Sequence, residues 1–124
     1  MYRGLVWATF SWLTFSGTLH FLVDVVSQYV RGVREPSPAT TLYWGLHSSF
    51  SLGQVAVGAL GLVLASQAPA LLRAWPVQAV VVVAAVLWLA IALFFIEYTP
   101  PKVNAGVTLA LVLAMVVSSR LTTP

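Results

Sequence analysis

His20 and Asp24 lie four residues apart in "SGTLHFLVDVVSQYV", Ser16 to Val30, and put an imidazole and a carboxylate one helical turn apart in a run otherwise fit for lipid. A carboxylate beside an imidazole can take up, hold or pass on a proton. Such a pair is costly in a membrane helix, where an aspartate at the centre costs roughly 2.5–3.5 kcal/mol. Ionisable residues of this kind face a bundle interior or a water-filled cavity, so Asp24 requires a partner.

The surrounding spacing extends the pair into a stripe. Thr9, Ser16, His20, Asp24, Ser27 and Arg31 fall on one face of a helix. Ser11, Thr14 and Thr18 lie off it and are expected to bond back to their own backbone carbonyls. A second stripe, His47, Ser51, Gln54, Gly58 and Gly61, is polar near the start of the next apolar stretch and glycine-lined further in. Gly45, Ser49 and Gly53 form a small-residue series beside it, of the kind that lets helix backbones approach in lipid.

If the intervening hairpin turns near Glu35, residues whose numbers add to about 71 share one depth, since both helices rise about 1.5 Å per residue. Asp24 then pairs with His47, His20 with Ser51, and Gly17 with Gln54, and both histidines come within reach of Asp24. Glu97 and Asn104 flank the third break in the chain and converge on the same half of the bilayer. The expected site has Asp24, His20, His47 and Glu97 as proton-transferring groups, with Ser16, Ser51, Gln54, Tyr43 and Asn104 around a ligand. Tyr29, Tyr43, Trp44 and Tyr98 form the aromatic belt at that end.

The elements that position these residues follow from composition. With 60% hydrophobic and 7% charged residues in 124, the chain lies far outside the range of soluble domains. A bilayer core about 30 Å thick needs about 20 apolar residues per helix. Stretches of about 5–30, 41–65, 75–98 and 103–119 meet that need. The expected fold is all-α, an integral membrane protein built as one antiparallel four-transmembrane-helix bundle, with consecutive helices as neighbours and no soluble domain. Pro36 and Pro38 end the first helix, Pro76 suits the first turn of the third, and Pro100 with Pro101 stop the third before Thr99 or Asn104 caps the fourth.

The net charge of +3 does not signal nucleic acid, because Arg3, Arg31, Arg34, Arg73, Lys102 and Arg120 sit one or two at a time at helix ends as interfacial anchors. They divide evenly between the two faces, so a cytoplasmic position for both termini in a plasma or bacterial inner membrane rests only on the N-terminal amine. The run after "MYRG" is too long for the core of a cleaved signal. The absence of cysteine excludes disulfide and thiolate chemistry. His20 and His47 are the one pair able to ligate haem, and no HxxxH or ExxH spacing marks a metal site, so no cofactor is expected.

No motif of a known family is present. Two functions fit: binding, with or without transformation, of a hydrophobic small molecule or lipid in a polar intramembrane pocket, alone or as a homo-oligomer; or a non-catalytic accessory subunit packed against a larger membrane complex through its Val- and Ala-rich helices.

Overall fold

The structure is a computed structural model that describes residues 1–121. Apart from short connections the described chain is helical, in the order α1 (Tyr2–His20), a π-helical segment (Phe21–Ser27), α2 (Gln28–Val30), α3 (Pro38–Gln67), a 3-10 turn (Leu71–Arg73), α4 (Trp75–Phe95) and α5 (Thr99–Leu121). Three helices, α3, α4 and α5, are long and apolar enough to cross a membrane, which points to a membrane-associated protein. α1 carries five Ser and Thr residues and a histidine.

Local chemistry sets the boundaries. The first helical run closes on Gly32, whose φ of +61° favours glycine, and the Gly32 and Val33 amides bond back to the Tyr29 and Gln28 carbonyls in a Schellman turn. α3 begins at Pro38, three residues before the expected start, because Ser37 caps it by accepting from the Thr40 amide at 3.1 Å and a first-turn proline gives up no intrahelical bond. The same reason moves the start of α5 back to Thr99 with Pro100 and Pro101 inside its first turn, while α4 ends at Phe95 instead of Tyr98.

α1 packs most closely on α3. A Cβ on Gly17 would stand 2.9 Å from both the Gln54 Cβ and the Ser51 carbonyl; one on Gly58 would strike the Thr14 backbone, and one on Gly61 the Phe10 ring. The numbers in the pairs 17 with 54, 14 with 58 and 10 with 61 add to 71 or 72, so the two helices cross in opposite directions at the register expected from a turn near Glu35. Gly45 of the neighbouring small-residue series meets nothing within 4 Å.

α5 lies against α1, where the Thr9 hydroxyl approaches the Leu111 carbonyl at 3.4 Å, and against α4, where the Gln78 amide donates to the Ser119 hydroxyl at 2.9 Å. α3 and α4 depart from the expectation that consecutive helices are neighbours: they form no close backbone pair. α4 has no glycine to admit another backbone, and its Trp88 ring lies over Gly53, where an added Cβ would stand 3.7 Å from the indole nitrogen.

Candidate functional site

The site sits where the α-helical ladder of the first run gives way to π geometry. π turns recur at functional positions, and this one begins directly after His20 and carries Asp24 in its first turn. His20 Nδ1 is 2.8 Å from Asp24 Oδ2. Its other nitrogen, Nε2, is 3.1 Å from His47 Nδ1 of α3, and the two rings stack with centroids 5.2 Å apart. The Tyr98 hydroxyl, from the turn before α5, lies 3.3 Å from that same His47 Nδ1. A carboxylate, two imidazoles and a phenol thus form a contiguous hydrogen-bonded array.

Neighbouring groups hold the array in place. The Gln28 amide donates to Asp24 Oδ1 at 3.4 Å, and the Tyr43 hydroxyl donates to the Gln28 carbonyl oxygen at 3.4 Å. The Tyr43 ring centroid lies 4.1 Å from that of His47, and the Arg34 guanidinium stands over the Tyr43 ring at 3.5 Å. Burial raises the Tyr98 phenol above its ordinary value and the Asp24 carboxylate adds to the rise, so Tyr98 remains a neutral hydroxyl at physiological pH.

A cavity of about 250 Å³ opens beside the array, lined on its polar wall by Ser16, His20, Asp24 and Asn104 and elsewhere by Trp12, Phe15, Leu19, Val23, Pro100 and Pro101. Phe15, Leu19 and Val23 are exposed, so its mouth faces sideways from α1, where lipid would lie. Two buried polar atoms of the lining, Trp12 Nε1 and Asn104 Oδ1, have no hydrogen-bond partner among the described residues. Behind Asn104, its amide nitrogen donates to the Gln54 carbonyl oxygen at 3.3 Å, and Gln54 Nε2 is again without a partner among the described residues.

Of the residues expected at the site, His20, Asp24 and His47 come together, with His20 as the link: Asp24 reaches His47 through it. Tyr43 packs on His47, and Gln54 and Asn104 meet each other. Ser16 and Ser51 spend their protons on the Trp12 and His47 carbonyls, at 2.6 and 2.7 Å. Glu97 is exposed, because Ile96 turns into the core and Tyr98 reaches the imidazoles in its place. Gln28 and Trp12 are members that the sequence did not single out, and Tyr98 was placed only in the aromatic belt. Gln28 carried a signal, standing one turn beyond Asp24; Tyr98 and Trp12 carried none beyond their place among the aromatics.

The imidazoles face each other nitrogen to nitrogen at 3.1 Å, so a macrocycle between them would require the rings to part. Among the described residues no three His, Asp or Glu side chains are grouped so as to hold a metal ion. No family model matches the chain, and neither a curated protein nor a solved structure matches it.

Proposed function

We propose that the chain is a four-span membrane protein that binds a hydrophobic small molecule or lipid in the lateral cavity and exchanges a proton with it through Asp24. The continuous helical run from Tyr2 to Val30 serves as the first span, antiparallel to α3, and α4 and α5 complete the bundle with both termini on one side. The supporting observation is the cavity lining: an unpartnered indole N–H and an unpartnered amide oxygen, both buried, beside a carboxylate and an imidazole. An unmade buried hydrogen bond costs about 1–3 kcal/mol. A ligand with an apolar body and a small polar head, one end accepting from Trp12 and the other donating to Asn104, would satisfy both groups while its body lies along Phe15, Leu19 and Val23.

Mass spectrometry of material extracted from the purified protein tests this. The expected result is an apolar molecule with such a head in fixed ratio to the chain, lost when Ser16→Leu fills the cavity. Bulk lipid alone, in equal amount in both proteins, would overturn the proposal.

A further inference from the structure

We infer that Asp24, His20, His47 and Tyr98 form a proton path between the lateral cavity and the charged end of the molecule that carries Arg34, Glu35 and Glu97. The inference rests on Asp24 being the proton-exchanging wall of the cavity and extends it outward. Imidazole suits such a path because it can accept at one nitrogen while donating from the other. Here two imidazoles stand in series: Asp24 Oδ2 to His20 Nδ1 at 2.8 Å, then His20 Nε2 to His47 Nδ1 at 3.1 Å. Neither nitrogen of His20 is left for a ligand, so a proton arriving at Asp24 leaves the cavity through that ring.

The step balances without a co-reactant. With Asp24 protonated, its O–H donates to a bare His20 Nδ1 and His20 Nε2–H donates to a bare His47 Nδ1, beside which the Tyr98 hydroxyl lies. Transfer of the Asp24 proton to His20 Nδ1, with the His20 Nε2 proton passing to His47 Nδ1, leaves a carboxylate and a His47 imidazolium. The His47 Nδ1 proton then passes to the half-buried Tyr98 hydroxyl as that hydroxyl gives up its own proton to the outer face, which returns His47 and Tyr98 to their neutral forms. The titratable and charged groups that face the array are Asp24 and His20 on the first helical run, His47 and Tyr43 on α3, Tyr98 before α5, and Arg34 over the Tyr43 ring. Holding helices together would not need this composition, since amides make the same contacts without titrating.

The test is a rapid pH jump on the full chain in detergent micelles, with no ligand added, followed by the infrared carboxyl band that Asp24→Asn removes. In the wild type that band is expected to change after the jump, at a rate set by transfer through the imidazoles. His47→Asn, which hydrogen-bonds but cannot relay, should slow that change by at least about tenfold, as should Tyr98→Phe in lesser degree. Imidazole added to His47→Ala should restore the rate. Unchanged rates in both His47→Asn and Tyr98→Phe, or no change of that band in the wild type, would overturn the inference. Because the ligand takes no part, a negative result here is distinct from failure to find a bound molecule.

Discussion

Gly58 of α3 lies directly on the backbone of Thr14 in α1, with no room between them for a methyl group. Gly58→Ala must therefore push the two helices apart, at about 1–3 kcal/mol, and Gly58→Leu should prevent assembly. Gly45→Ala meets open space and should be neutral or stabilise by up to about 1 kcal/mol. Thermal unfolding in detergent compares them, and equal melting temperatures for Gly58→Ala and wild type would remove the close α1–α3 crossing.

Asp24→Asn separates packing from proton exchange. The amide oxygen can still accept from His20 Nδ1–H, and a buried charge is gone, so stability is expected to hold within about 1 kcal/mol or rise. Ligand retention or turnover should be lost, because an amide accepts no proton at physiological pH. A folded and fully functional Asp24→Asn protein, with His20→Gln and His47→Gln equally active, would reduce the cluster to a helix clamp.

Trp12→Phe removes the unpartnered indole donor and keeps an aromatic wall. In the ligand-free protein it should stabilise by about 1–3 kcal/mol, the cost of leaving that N–H dry, and it should weaken ligand retention. A loss of stability in the empty protein would show that Trp12 Nε1 already has a partner.

Tyr98 fixes a direction for alkaline pH. Its folded value lies above the unfolded value of about 10, so the stability it contributes is complete below pH 10 and is lost as pH rises beyond that. Tyr98→Phe should therefore flatten the fall in melting temperature above pH 10. An identical fall in both proteins would place the Tyr98 phenol in water.

Cysteine labelling at positions 35, 73 and 102 in sealed vesicles tests the four-span topology. Reagent added outside should reach 35 and 102 alike and 73 oppositely. Any other pattern changes the number of spans.

Much of this architecture was legible in the sequence because lipid permits few solutions. The paired stripes of His20 with Asp24 and His47 with Gln54 dictated which faces of the first two helices meet, and the helical rise gave their register to within one residue at Gly17 and Gln54. Proline was less legible, since Pro38, Pro100 and Pro101 act as helix starters only when the preceding chain leaves their nitrogens without need of a bond. Glu97 shows the limit of reasoning from residue type: α4 stops at Phe95, three residues before the expected end, and in the bend that follows it is Tyr98 that meets the imidazoles, a stop that no periodicity encodes. The separation of α3 from α4 was missed although its mark stood in the sequence, since α4 has no glycine along its length while short connections argued for neighbours.

The π segment makes the hairpin sensitive to counting. Its i→i+5 bonds hold an extra residue per turn, in effect an insertion absorbed without breaking the helix. Everything beyond Ser27 inherits an angular offset from everything before Phe21, and that offset aims Gln28 at Asp24 and Tyr43. Losing a single residue such as Val25 would restore ordinary winding with the following chain nearly in place, whereas losing one from the α winding before Phe21 would swing everything that follows by about 100°. The site is thus read in a frame, as a message is, with seven π-helical residues keeping its two halves in phase.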